Sequence, residues 1–242
     1  MDIEKIIARV TEETMARLAS MKAGRTPAEL AAAIEHSLLN PDTSADTIRK
    51  GCAEARQYSF ANVCVSPYYV AMAADQLRGT GVAVCTVAGF PHGAASTSAK
   101  CAEIREAIRN GATEIDAAMM IVAAKTGDFE FVKKDLAEMV SIAAGRAKIK
   151  AIYEQGLYTD DEKKRVLEIA AQCGVDFVKI SNALTGKKAV VEDVQFVRSI
   201  IGPKIGIKID GGIKDAATAN TILDSGANRM GCSASVKIVT EG

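Results

Sequence analysis

The chain has 242 residues, 48% hydrophobic and 25% charged, the ordinary balance of a globular protein long enough for one large domain. Thirty Lys and Arg face thirty Asp and Glu, so no net field is available to gather nucleic acid or an anionic membrane. Only two histidines, His36 and His92, are present, and the six cysteines show no CxxC spacing, which argues against a zinc or histidine-rich metal site and against a disulfide scaffold.

The opening segment, MDIEKIIARVTEETMARLASM, lacks the apolar centre of a signal peptide, and no uninterrupted apolar run is long enough to span a bilayer. It reads as an amphipathic helix within an N-terminal helical extension, residues 1–30, lying outside the catalytic unit. With reduced thiols as the reading for the cysteines, the expected location is cytoplasmic.

From there the chain alternates short apolar runs with longer amphipathic ones. A strand over Ile34–Leu39 is followed by a helix over Ser44–Gln57, entered through the cap-type residues of NPDTSADTIRK. Strands over Asn62–Ser66 and Ala83–Ala88 precede a helix over Ser98–Asn110 that Gly111 should stop. A strand over Glu114–Met119 and another over Lys148–Tyr153 lead to a helix over Asp160–Cys173, closed by Gly174. The last strands are Asp176–Ser181, Gly206–Asp210 and Arg229–Cys232, with a helix over Asp215–Asp224 ahead of Gly226. Eight strand-then-helix units predict an α/β fold, a single (β/α)8 TIM barrel covering residues 1–242. A doubly wound open sheet competes with it, but no strand here is followed by GxGxxG.

In a closed barrel, alternate strand residues point inward and chemistry gathers at the C-terminal strand ends. Three ionisable residues meet that description: Asp116 in EIDAAMM, Lys179 in DFVKIS and Lys208 in GIKIDGG. A buried ion pair fixing barrel register is the plain structural reading. The chemical reading is that burial and a neighbouring ammonium depress a lysine pKa, freeing a neutral amine to attack a carbonyl. The second lysine then supplies positive charge, Asp116 relays protons through water, and the chemistry is an amine-catalysed aldol or retro-aldol reaction.

The segments IEHSLLNPDTS, VCVSPYYV, CTVAGFPHG, NGATEIDAAMM, YEQGLYTDDEK, DFVKIS, KIDGGIKD and GANRMGCSASVKIV, in that order and spacing, resemble the deoxyribose-phosphate aldolase family of class I aldolases. The resemblance implies Lys179 as Schiff-base nucleophile, Lys208 as the neighbour that lowers its pKa, and Asp116 as proton-relay partner. It implies a substrate pocket formed by Ser181, Ala183, Asp210, Gly211, Gly212, Lys214, Gly231 and Ser233, with no metal and no organic cofactor. The implied partners are a small-molecule sugar phosphate and an aldehyde, and a homo-oligomer is expected. Replacing Lys208 by Leu is expected to leave the fold intact and to raise the Lys179 pKa.

The pattern departs from the family where a phosphate should sit. The family's Thr-Ser-Thr-Gly after the nucleophile is Ile180, Ser181, Asn182 and Ala183 here, and its serine before Gly-Gly is Asp210. The following arginine is Lys214, and the final Gly-Thr-Ser-Ser-Gly is Gly231, Cys232, Ser233, Ala234 and Ser235. Glu35 replaces an aspartate beside His36, with an altered hydroxyl contact expected. A carboxylate at 210 should repel a phosphate unless Lys187, Lys188, Lys208 or Lys214 offsets it. The leading function is cleavage of 2-deoxyribose 5-phosphate to glyceraldehyde 3-phosphate and acetaldehyde. A related Schiff-base aldolase acting on a different, unphosphorylated sugar is the alternative. A phosphosugar isomerase or epimerase, or a noncatalytic metabolite-binding barrel, explains the inward lysines less well.

Overall fold

Strands buried on both faces belong to parallel sheets covered by helices, and the strand segments here are buried along nearly their whole length. The computed structural model describes residues 3, 6, 7, 9–11, 24–188 and 190–241. Most of the expected N-terminal helix lies outside these residues; those of it that are described are helical.

The eight strands are β1 (Ile34–Leu38), β2 (Asn62–Val65), β3 (Ala83–Ala88), β4 (Glu114–Ala118), β5 (Lys148–Glu154), β6 (Phe177–Ser181), β7 (Gly206–Asp210) and β8 (Arg229–Cys232). They pair in parallel in sequence order, and β8 returns to β1 to close the barrel. Three elements precede or separate the first strands: α1 (Pro27–Ala33), α2 (Ala45–Tyr58) and α3 (Val70–Gln76). The rest of the outer layer is α4 (Thr97–Arg109), α5 (Ile121–Lys125), α6 (Phe129–Ala143), α7 (Asp160–Cys173), α8 (Val191–Ile201), α9 (Ala216–Asp224) and α10 (Ser235–Thr240). The (β/α)8 architecture is therefore as the alternation predicts, with three strands matching the expected bounds and the others within one residue at each end.

Local chemistry explains where the helices begin. Ser44, Ser96 and Asp215 each accept a backbone N–H from the first turn of the helix they precede. Thr159 and Glu162 form a reciprocal capping box on α7, and left-handed Gly174 ends that helix.

The hydrophobic core fills the layer between strands and helices, from Ile34 and Ile48 to Leu136, Val178 and Ile207. One charged pair sits within that shell. Lys100 of α4 and Asp135 of α6 are both fully buried and lie 2.6 Å apart. The Lys100 ammonium also donates to the carbonyls of Gly93 and Ala118. It thereby ties the β3–α4 loop, which carries Phe90, to the end of β4.

The barrel interior is different, because it is polar. Side chains from strands that are not neighbours reach one another only across it: Glu35 on β1 meets Lys150 on β5 and Lys208 on β7.

Candidate active site

Register decides which groups meet. Lys179 stands opposite Lys208 across the β6–β7 pair, and Asp116 stands opposite Lys150 across β4–β5. Lys179 Nζ lies 2.8 Å from Asp116 Oδ2, and Lys208 Nζ lies 2.7 Å from the same oxygen. The three residues that the sequence singles out are thus brought together, with one carboxylate bridging both ammonium groups.

Other side chains extend this cluster. Lys208 also donates to Glu35 at 2.5 Å, and Lys150 reaches Glu35 at 2.9 Å, Glu114 at 2.7 Å and Asp116 at 3.3 Å. At the mouth, Asp210 Oδ2 is 2.7 Å from Lys179 Nζ. The result is a ladder of alternating sign: Asp210, Lys179, Asp116, Lys208, Glu35, Lys150, Glu114. Lys150 and Glu114 were not anticipated from the sequence, although KIKAIYE and EIDAAMM place them on inward positions by the same alternation that selected Asp116. Glu35 joins two buried lysines, Lys150 and Lys208.

This arrangement corrects one expectation. Lysine 179 was expected to be a neutral amine. Burial does oppose its charge, and Lys208 acts in the same direction, but the carboxylates of Asp116 and Asp210 outweigh both and hold Lys179 above the ordinary lysine value. Lys179 therefore rests as an ammonium. Burial likewise opposes ionisation of Asp116, yet Lys179, Lys208 and Lys150 hold it well below the usual carboxylate range. Glu35 follows the same logic: Lys208 and Lys150 overcome its burial and bring it down to about 2.

Lys179 opens into a cavity of about 290 Å³ at the C-terminal end of the strands. All eight of the expected substrate-binding positions line it: Ser181, Ala183, Asp210, Gly211, Gly212, Lys214, Gly231 and Ser233. Ser37, Leu39, Asn40, Phe90, Ile213 and Cys232 complete the wall, and the Phe90 ring centroid lies 5.9 Å from Lys179 Nζ. His92, two residues beyond Phe90, is exposed and not part of this wall. An adjoining cavity of about 370 Å³ shares Asp210, Gly211, Gly212 and Lys214 and adds Lys187 and Lys188. A wider hollow of about 480 Å³ lies at the opposite end of the strands, beside Thr113, Lys148 and Asp176, away from the buried lysines.

Glycine is required at two places in the wall. Gly211 and Gly212 have φ of 123° and 74°, which turn the chain sharply as it leaves β7. A Cβ at Gly231 would lie only 1.8 Å from Asp210 Oδ1, so the missing side chain makes room for that carboxylate.

Two groups of potential metal donors lie inside the barrel, Cys64 with Cys85 and Asp116, and Glu35 with Cys85 and Glu114. Their chemistry suits a cation poorly. The carboxylates are already committed to ammonium groups, Lys150 Nζ lies 3.3 Å from Cys85 Sγ, and burial pushes the Cys85 thiol up. What the cluster can do is hold a reactive amine beside two carboxylates at the floor of a pocket open at one end.

Comparison with known proteins agrees with this chemistry. The family model for DeoC/LacD family aldolase matches residues 30–238. Deoxyribose-phosphate aldolase of Brevibacillus brevis is 45% identical over 207 residues, which are 86% of this chain and 93% of that protein. The enzyme of the same name from Bacillus mycoides is 43% identical over 210 residues, 87% of this chain and 94% of the relative. Among solved structures, the deoxyribose phosphate aldolase of Aeropyrum pernix, described as tetrameric, superposes with a TM-score of 0.82 at 28% identity, covering 88% of this chain and 91% of that one.

Proposed function

The chain belongs to the DeoC/LacD family of aldolases, carbon–carbon lyases, and on that premise we propose that Lys179 forms a Schiff base with the sugar it cleaves. The substrate we assign is 2-deoxyribose 5-phosphate, split reversibly into glyceraldehyde 3-phosphate and acetaldehyde. The observation that carries this reading is the position of Lys179, buried between Asp116 and Asp210 with its amine facing the cavity at the strand ends.

The steps follow from that position. Lys179 Nζ adds to the aldehyde carbon of the open-chain sugar, and loss of water gives an iminium. The iminium withdraws electrons from the bond between C2 and C3 as the C3 hydroxyl loses its proton. That proton leaves through a relay of water held beside the Asp116 and Lys208 pair, which orients the relay rather than keeping the proton. Glyceraldehyde 3-phosphate departs, the enamine left on Lys179 takes a proton at carbon, and hydrolysis releases acetaldehyde. No metal or organic cofactor enters these steps.

Substrate contacts are assigned to Ser181, Ala183, Asp210, Gly211, Gly212, Lys214, Gly231 and Ser233. An alternative sugar without phosphate is favoured by one observation, the Asp210 carboxylate inside the cavity that would receive the sugar's tail. Lys214, Lys187 and Lys188 around the adjoining cavity support the phosphorylated reading. We also assign a homo-oligomeric state, in line with the description of the Aeropyrum pernix relative as tetrameric.

Borohydride reduction with 2-deoxyribose 5-phosphate, followed by mass spectrometry of peptides, tests the mechanism. The expected adduct lies on the peptide containing Lys179, and a Lys179→Arg chain forms none because guanidinium does not give up its proton. An adduct confined to Lys208 would reverse the two lysine roles.

A further inference from the structure

If Lys179 rests as an ammonium, something must take its proton before it attacks, and the two carboxylates beside it differ in their capacity to do so. Asp116 is saturated with donors. Its Oδ2 receives Lys179 and Lys208, and its Oδ1 receives Lys150 at 3.3 Å and the Cys85 thiol at 3.3 Å. Three ammonium groups around one carboxylate make it a very weak base.

Asp210 is placed otherwise. Among the described residues its one ion pair is with Lys179, at 2.7 Å. Its side chain is 28% exposed at the cavity rim, while that of Asp116 is fully buried. Its second oxygen, Oδ1, is buried without a hydrogen-bond partner, in the space that Gly231 leaves open. β7 and β8 hold that space in register, with Asp210 opposite Gly231.

We propose that Asp210 is the catalytic acid and base for imine formation at Lys179, taking the ammonium proton and returning it to the departing oxygen. This rests on the Schiff-base reading above and extends it to a residue where the family pattern has serine.

The step balances as follows. A proton passes from the Lys179 ammonium to the Asp210 carboxylate, leaving a neutral amine and a carboxylic acid. The nitrogen lone pair forms the N–C bond, and the carbonyl π electrons move to oxygen. A second proton moves from that nitrogen to the oxygen and gives a neutral carbinolamine. Asp210 then donates its proton to the hydroxyl, the C–O bond breaks with its electron pair leaving in water, and the nitrogen lone pair closes the C=N bond. An ammonium and an aldehyde have become an iminium and water. The positive charge stays at the same atom, and Asp210 is a carboxylate facing it once more, so the ladder beneath is undisturbed.

Acetaldehyde is the appropriate probe, because it carries no tail for Asp210 to bind or repel. The rate of cyanoborohydride-trapped adduct formation on Lys179 is measured across pH for the wild-type chain, Asp210→Asn and Asp210→Ala, with and without added formate. The expected result is a loss of roughly 10²-fold or more at neutral pH in both variants, partly recovered as pH rises. Formate, small enough for the vacated space, is expected to restore the Asp210→Ala rate in proportion to its concentration. An Asp210→Asn chain that traps acetaldehyde at the wild-type rate and pH dependence overturns the proposal while leaving the Schiff base intact. Slow trapping in Asp210→Ala that formate does not improve also overturns it, reducing Asp210 to a structural counter-charge. A wild-type chain that traps neither acetaldehyde nor 2-deoxyribose 5-phosphate removes the Schiff-base reading itself.

Discussion

Asp210 is the residue at which catalysis and substrate choice meet, and kinetics separates the two. Asp210→Ser should lower kcat on every substrate, because the Lys179 proton loses its acceptor, whereas the change in KM depends on the tail. With a phosphate tail, removing a carboxylate relieves repulsion and KM falls for 2-deoxyribose 5-phosphate; with a hydroxylated neutral tail, a lost acceptor raises KM for 2-deoxyribose. Parallel assays on the two sugars check this, and KM unchanged on both would place the tail away from Asp210. Lys208 carries a different expectation. Its ammonium is fully buried between Glu35 and Asp116, so the notion that Lys208→Leu leaves the fold intact gives way to a marked loss. Glu35 then keeps Lys150 and Asp116 keeps Lys179 and Lys150, but both buried carboxylates lose an ammonium, a loss of about 3 kcal/mol on the scale of a broken buried pair. A urea midpoint for Lys208→Leu equal to wild type would show that water compensates Glu35 and Asp116. The sequence carried the identities of Lys179, Lys208 and Asp116 because they lie inside apolar runs. It did not carry the charge state of Lys179, which depends on a carboxylate from β7 meeting a lysine from β6.

Helices α4 and α6 make the same point with a pair that has no part in the chemistry. Lys100 sits on an amphipathic helix where nothing in its neighbours marks it as buried, and only the packing of α4 on α6 brings Asp135 to 2.6 Å. Lys100→Ala should destabilise the fold by about 3–5 kcal/mol, since it strands the Asp135 carboxylate in the apolar layer. The double replacement Lys100→Met with Asp135→Leu should recover most of that loss, by the usual near-equivalence of a buried ion pair and well-packed apolar side chains. Thermal or urea unfolding of the wild type, Lys100→Met, Asp135→Leu and the double replacement checks the cycle, and simple additivity of the two single losses would mean the groups do not interact. Strand positions, by contrast, were legible almost to the residue. In β3 and β7 both boundaries follow from apolar alternation ended by glycine or a polar turn. β5 runs one residue further than the apolar pattern, to Glu154, because that carboxylate accepts the Leu184 N–H at 3.0 Å and is buried by the β6–α8 connection.

For the whole molecule, the charged interior ties stability to pH from both sides. Glu35 at about 2 and Asp116 well below the usual range compare with about 4 for unfolded carboxylates. The unfolded chain therefore binds more protons as acid is added. This contribution is complete above about pH 5 and is lost as the pH falls toward about 2. Lys179 and Lys208 are held above the ordinary lysine value, burial being outweighed by the carboxylates they face. Their contribution is complete below the unfolded lysine value of about 10 and is lost as the pH rises through their higher folded values. Urea midpoints should be highest near about pH 7–8 and fall on either side. Buried His36, its pKa lowered by desolvation, begins the acid fall below about pH 6.5. The Cys85 and Cys232 thiols, pushed up by burial, begin the alkaline fall above about pH 8.5. Glu35→Gln should lower the maximum and make the acid limb shallower, and an acid limb of unchanged steepness would rule out Glu35 as one of its sources.

The ladder has one further consequence, for descent. Below the rim, Asp116 and Glu35 each serve cations from different strands, so a lone change there disturbs several neighbours at once and selection has little room to act. Asp210, at the rim, forms its one ion pair among the described residues with Lys179 and faces whatever enters from outside. Lineages that inherit this barrel are expected to drift in which sugar they accept while keeping how they break it.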